Sequence, residues 1–209
     1  MGFTSRLYPI LDAGVFAARG IPLTDAAHQL HAAGVTLLQY RDKNAGPQTI
    51  LRNAAVIAAA FAGSGATLIM NDRADLAVLA GWDGVHVGQE DLSPSDARIV
   101  LGQGKIIGVS THTYEQVIAA DASVADYVAI GPVFATGTKL DAEPVVGLEG
   151  VRLARTLTRK PLVAIGGITR ENVRSVIDAG ADSVAVISGL FVPGEPVEKV
   201  ARDFLELLR

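Results

Sequence analysis

Short apolar runs recur along this chain, and each stops at a polar or glycine residue. They cover residues 7–11, 35–39, 68–70, 84–87, 105–109, 127–130, 162–165 and 183–187, and each predicts a strand. Most lack the polar alternation of a half-solvated strand, as expected of strands covered on both faces. Between them the apolar positions change to helical spacing, at 24–33, 47–62, about two turns after Asp72, 171–179 and 197–208, with a further helix from about Leu148. Local signals mark where helices begin and end. Gly34 suits a helix C-terminus, Ser93 followed by Pro94 suits an N-cap and first turn, and Thr113 with Gln116 has the spacing of a capping box.

Strand then helix, eight times, predicts a single closed (β/α)8 TIM barrel with short loops. The chain has 209 residues, somewhat below the ~250 usual for that fold, and 1–209 is read as one domain. An open doubly wound sheet is the alternative, but no glycine-rich dinucleotide fingerprint follows the first strand. In a barrel, chemistry collects at the carboxyl ends of the strands, so those positions are the ones to search.

Composition narrows the function. Net charge is -4 and no run of Lys or Arg occurs, which argues against a nucleic-acid surface. An anionic ligand must then be caught by a few placed cations. The chain has no cysteine, so thiolate metal sites and Cys nucleophiles are excluded. Pro9 and Asp12 interrupt the first apolar stretch, so neither a leader peptide nor a membrane span fits there. Arg6 stands where myristoylation wants Ser or Thr. A soluble cytoplasmic protein is expected, without nucleic-acid or membrane partners; whether copies assemble into a homo-oligomer is left open.

The third and fourth strands end in acids. Asn71-Asp72 follows one, and Gln89-Glu90-Asp91 follows the other, so parallel pairing brings Asp72 and Asp91 to one rim. Two carboxylates there suit a hard cation that keeps several waters and takes its remaining ligands from a substrate phosphate. They suit plain loop caps as well. The second strand ends in Gln39-Tyr40-Arg41-Asp42-Lys43, where alternation puts Gln39, Arg41 and Lys43 on one face and Tyr40 and Asp42 on the other. Of five lysines, Lys105 and Lys160 precede strands and belong to the opposite rim, and Lys199 falls within the final helix, which leaves Lys43 and Lys139 for the active rim. The connection from Gly131 to about Leu148, with Thr136, Gly137, Thr138 and Lys139, is longer than usual and reads as a lid. Gly166-Gly167 and Ser188-Gly189 follow the seventh and eighth strands, the customary phosphate loops of a barrel. His28 and His31 lie on a helix and His86 within a strand, where a hydrogen-bonded core role is expected. His112, beside Ser110, is the histidine placed for proton transfer.

Taken in order, residues 39–43, Asn71-Asp72, 84–91, Gly108-Val109-Ser110, 131–139, Gly166-Gly167-Ile168 and Ile187-Ser188 make the chain resemble the thiamine phosphate synthase family over nearly its whole length. The resemblance implies a magnesium-dependent (Mg2+) joining of hydroxymethylpyrimidine diphosphate to a thiazole phosphate or its carboxylate form, yielding thiamine phosphate and pyrophosphate. It implies that Asp72 and Asp91 hold magnesium. Gln39, Arg41, Lys43, Asn71 and Lys139 would contact the pyrimidine diphosphate, with Tyr40 and Asp42 in the same string, and Ser110 would lie near pyrimidine and leaving group. Thr136, Gly137, Thr138, Gly167, Ile187 and Ser188 would bind the thiazole phosphate. Arg41, Lys43, Ser110 and Lys139 are the residues expected to act in catalysis. The chain departs from the family at Ala135, often Pro, and at Asp42 and Asn44, more often Glu then Gly.

Three rival readings remain. A related thiazole tautomerase on the same scaffold would use a histidine at the position of His112, but would not need Asp72, Asp91, Thr138 and Lys139. A Schiff-base aldolase would use Lys43, its pKa depressed by Arg41. A sensor would bind phosphate ligands without turning them over.

Overall fold

The computed structural model describes residues 5–137 and 144–209. Eight parallel strands, β1 (Leu7–Asp12), β2 (Leu37–Arg41), β3 (Thr67–Asn71), β4 (Gly84–Val87), β5 (Ile106–Thr111), β6 (Tyr127–Ile130), β7 (Leu162–Ile165) and β8 (Ser183–Val186), pair in chain order, and β8 closes on β1. The surrounding helices are α1 (Ala13–Ala17), α2 (Leu23–Ala33), α3 (Pro47–Ala60), α4 (Ala74–Leu79), α5 (Pro94–Leu101), α6 (Tyr114–Ala122), α7 (Gly147–Leu157), α8 (Val173–Asp178) and α9 (Val197–Leu207). The (β/α)8 expectation is met.

The absence of polar alternation has its explanation in two cores. Tyr8, Ile10, Leu37, Ile69, Tyr127, Ala129, Val163 and Ala185 fill the barrel interior. Their strand neighbours, among them Leu7, Leu11, Leu38, Met70, Val85 and Val87, pack outward against the helices. Because successive strand residues point to opposite faces, the interior series continues upward into Asp12, Gln39, Arg41, Asn71, His86, Ser110 and Ile165. The interior is thus lined by polar residues at the carboxyl mouth, while Tyr8 and Tyr127 carry hydroxyls deeper inside.

Helix ends follow their local chemistry. Ser93 Oγ accepts from the Asp96 N–H (3.1 Å) with Pro94 at the first helical position, and Thr113 and Gln116 form both bonds of the capping box. Lys105 Nζ donates to the Trp82 carbonyl (2.7 Å), and Lys160 Nζ donates to those of Ala120 (2.9 Å) and Ser123 (2.7 Å). Both lysines thus brace the amino rim.

Some boundaries differ from expectation. β2 starts at Leu37, not Val35, whose N–H instead closes α2 on Leu30 O (3.2 Å). The five-residue α1 was not foreseen; Asp12 caps it by accepting the Val15 N–H (3.0 Å). α8 begins at Val173 rather than Glu171. β8 stops at Val186, and a 3-10 turn spans Ser188–Leu190.

One glycine makes room for the site. A Cβ on Gly108 would lie 1.9 Å from Tyr127 Cζ and 2.3 Å from its Oη, so the Tyr127 ring can cross β5 only where no side chain stands. Gly108→Ala is expected to destabilise the fold by about 1–3 kcal/mol through overpacking. A denaturant midpoint unchanged from wild type would show that the ring has another place to go.

Candidate active site

The acids meet. β3 ends in a three-residue turn in which Asp72 takes φ 60°, the Arg73 N–H bonds to Asn71 O (2.7 Å) and the Asp72 N–H to His86 O (2.7 Å). A positive φ on a residue with a side chain is uncommon, and Asp is among the residues that tolerate it. The turn directs the Asp72 carboxylate to the mouth, where it pairs with Lys43 and lies beside Asp91. Asp91 is oriented from its own loop, its Oδ2 accepting the Gly88 N–H (2.8 Å). Gln89 Nε2 spans to the Ser110 carbonyl (2.6 Å), tying this loop to β5.

Burial pushes the Asp72 carboxyl above the usual carboxylate range; hydrogen bonding and repulsion from Asp91 add to this, and Lys43 opposes it. Since the folded-state pKa is the raised one, the protonated form favours folding at low pH, and that contribution is lost as pH rises through the folded-state value. A cation binding the carboxylate pair relieves this cost and competes with the proton. If magnesium is held by Asp72 and Asp91, it should raise the melting temperature more in mildly alkaline than in acidic buffer, with the difference shrinking in Asp72→Asn. Equal stabilisation at both pH values would contradict this.

Arg41 ends β2 directly across from Asp12, its register partner on β1, and the two form an ion pair. Asp12 is only 5% exposed. It was read in the sequence merely as a strand breaker, although the rule that singled out Asp72 and Asp91, an acid at a strand's carboxyl end, applies to it equally.

Tyr40 and Asp42 turn the other way. The Tyr40 ring is buried against the helix layer, edge-on to Trp82, and its hydroxyl donates to Asp42 Oδ2 (3.2 Å) and accepts from Asn53 Nδ2 (2.8 Å). Burial pushes that hydroxyl up to about 12. Asp42 Oδ1 accepts the N–H groups of Asn44 (3.1 Å) and Ala45 (3.0 Å), shaping the entry to α3. Strand alternation turns Tyr40 away from Gln39 and Arg41, and the cavity wall, which includes Gln39 and Arg41, includes none of Tyr40, Asp42, Lys43, Asp72 and Asp91.

That cavity opens at the carboxyl mouth. Gln39, Arg41, Asn71, His86, Ser110, His112 and Thr136 give it polar walls, and Ile10, Pro132, Ile165, Ile168, Ala185 and Ile187 apolar ones. Gly167 and Ser188 line it too. Gly166 (φ 103°) and Gly167 (φ 64°) take a backbone that side chains rarely adopt, and a Cβ on Gly167 would stand 2.6 Å from Ala135 O. The turn after β7 is thereby pressed against the loop that carries Thr136 and Gly137. Thr138 and Lys139 lie outside the described residues.

His112 Nδ1 donates to Gly131 O (2.7 Å), since a carbonyl can only accept; in the neutral ring the lone pair is then on Nε2. His86 is core and cavity wall at once, bonded through Nδ1 to Tyr127 Oη and through Nε2 to Ser110 Oγ, both at 2.8 Å. Its core role was legible in the sequence; Tyr127, 41 residues away, was not.

Among the described residues, no three His, Cys, Asp or Glu side chains stand together as a metal cage. Two carboxylates beside an Asn and a Lys fit magnesium nonetheless, because that ion usually takes one or two carboxylates and leaves its other positions to water and phosphate.

A closed parallel barrel whose polar groups gather at the carboxyl mouth defines a (β/α)8-barrel enzyme. The chain belongs to the thiamine monophosphate synthase family, whose model matches residues 7–190. It is 54% identical over 205 residues to a thiamine-phosphate synthase of Koribacter versatilis, covering 97% of this chain and 95% of that protein. It is 45% identical over 201 residues to one of Xanthobacter autotrophicus, covering 96% and 93%. A solved thiamine phosphate pyrophosphorylase from Pyrococcus furiosus superposes with a TM-score of 0.86 at 32% identity, covering 97% of this chain and 95% of that one.

Proposed function

We propose that this chain is a transferase that joins hydroxymethylpyrimidine diphosphate to a thiazole phosphate, giving thiamine phosphate and pyrophosphate in the biosynthesis of thiamine diphosphate. Beyond family membership, the observation that carries this reading is the gathering of Asp72, Asp91, Lys43 and Arg41 at one mouth, beside a cavity with apolar walls. The charged cluster suits a diphosphate and the apolar walls suit two flat heterocycles.

In this reading the carbon–oxygen bond to the diphosphate breaks first and its electron pair leaves with pyrophosphate. The electron-rich aminopyrimidine stabilises the cation left behind, and the thiazole nitrogen supplies the pair for the new carbon–nitrogen bond. The protein then needs no nucleophile of its own. Arg41 presents a fork to the diphosphate, Lys43 a point charge, and Lys139 a second. Asn71, Gln39 and Ser110 orient the pyrimidine. Thr136, Gly137, Thr138, Gly167, Ile187 and Ser188 hold the thiazole phosphate. Asp72 and Asp91 would hold magnesium, which when bound neutralises charge on the departing diphosphate. We do not assign Tyr40 and Asp42 a binding role, since both are used in packing β2 against α3.

Among the described residues no helix is long and apolar enough to cross a membrane. We place the protein in the cytoplasm as one barrel domain over 1–209. The direct test is pyrophosphate release from the two substrates, with thiamine phosphate identified by mass spectrometry. One equivalent of each product is expected, and only when both substrates and magnesium are present. Binding of both substrates without turnover would favour a sensor instead.

A further inference from the structure

Beneath the cavity lies an unbroken file of polar side chains inside the barrel. Gln39 Nε2 donates to Tyr8 Oη (3.0 Å), Tyr8 Oη meets Tyr127 Oη (2.9 Å), Tyr127 Oη meets His86 Nδ1 (2.8 Å) and His86 Nε2 meets Ser110 Oγ (2.8 Å). It crosses from β2 to β5 through β1, β6 and β4. Its two ends, Gln39 and Ser110, line the cavity, whereas Tyr8 and Tyr127 are 1% and 0% exposed. The rings are fixed as well: Tyr8 stands edge-on to Tyr127 (6.0 Å between centroids, 78°), and His86 stacks on Tyr127 (5.5 Å, 23°). Nothing in the group-transfer step uses the two phenols directly.

We propose that Tyr8 and Tyr127 are positioning residues, and that the file runs one way, from Gln39 through Tyr8 and Tyr127 to His86 Nδ1. The His86 proton is then on Nε2 and is given to Ser110 Oγ, whose own hydroxyl proton is turned into the cavity. Ser110 thereby offers a donor to a ring nitrogen of the bound heterocycle, while Gln39 is held at the opposite wall. This deepens the pyrimidine diphosphate reading and rests on it.

The chemistry of the first member favours this direction. The nitrogen of an amide can only donate, so Tyr8 Oη accepts from Gln39 and is polarised to pass its own proton onward, which is how hydrogen-bonded chains reinforce one another. Burial pushes the Tyr8 phenol well above its ordinary value, and does the same for Tyr127 with the neighbouring Tyr8 adding to it, so both keep a proton to give. In the reverse arrangement Ser110 would donate into the protein and present only lone pairs to the ligand, a poor match to a ring nitrogen.

Nitrogen NMR on histidine-labelled, substrate-free protein reads the arrangement directly, with His86→Gln used to assign the signal. A proton on Nε2 and a bare Nδ1 are expected for His86, with that preference lost in Tyr127→Phe. A proton on Nδ1 in the wild-type protein overturns the proposal. Kinetics supply the second reading. Tyr8→Phe and Tyr127→Phe each remove one hydroxyl and keep the ring, and each should raise KM for the pyrimidine diphosphate about tenfold while leaving kcat and the thiazole KM within about twofold. Combined with Ser110→Ala, Tyr127→Phe should add no further loss, because it acts through Ser110. Additive losses, or equal effects on both substrates, overturn the proposal. The wild-type tautomer is measured without substrate, and only its assignment needs a variant, so it stands or falls apart from the activity itself.

Discussion

Arg41→Ala should lower kcat/KM for the pyrimidine diphosphate by about 100- to 1,000-fold, the loss typical of removing one preorganised donor from developing charge. Arg41 ends β2 at the mouth, and its guanidinium is held in place by Asp12 across the β1–β2 ladder. A substrate diphosphate would therefore meet a fork already oriented rather than a free side chain. Arg41→Lys keeps the charge but loses the fork, and should fall between the two. Removing Arg41 also leaves Asp12 buried and unpaired, at a cost of about 1–3 kcal/mol after allowing for partial exposure of the arginine. The double variant Asp12→Asn, Arg41→Ala separates these effects. Thermal unfolding should recover towards wild type while activity does not. If activity recovers too, Arg41 serves the fold and not the ligand.

The second large effect belongs to the acids. Asp72→Asn and Asp91→Asn should each lower kcat/KM by about 100-fold or more, about 2.7 kcal/mol of lost transition-state stabilisation, and each should raise the magnesium concentration needed for half-maximal rate. Asn keeps an oxygen donor and removes the charge, so the loss reports electrostatics rather than shape. Asp72→Asn also releases Lys43 from its ion pair, so its effect on the pyrimidine diphosphate KM should differ from that of Asp91→Asn. A wild-type magnesium titration in both variants would move the metal elsewhere.

How much of this was readable beforehand depended on the range of the interactions. Asp72 and Asp91 could be found because each sits at a strand's carboxyl end, and parallel pairing brings all such ends together. The amino-rim role of Lys105 and Lys160 followed from the same rule. Tyr40 and Asp42 illustrate the opposite case. Family likeness carried the whole string from Gln39 to Lys43 into the binding site but gave no hint that Tyr40 bonds to Asn53 or that Asp42 shapes the entry to α3. The short α1 gave no periodic signal in five residues. The file from Gln39 to Ser110 was invisible for a different reason. Tyr8 and Tyr127 are 119 positions apart, and as isolated aromatics in apolar runs they read as core. Only closure of the barrel, with Gly108 leaving space, brings their hydroxyls into line.

The central claim is that this mouth, with magnesium, holds the pyrophosphate that leaves. Calorimetric titration of the wild-type protein with inorganic pyrophosphate tests it without any turnover. Binding should be strong with magnesium, weak without it, and lost in Asp72→Asn, Asp91→Asn and Arg41→Ala. Pyrophosphate that bound equally well without magnesium, or bound unchanged to all three variants, would contradict the account.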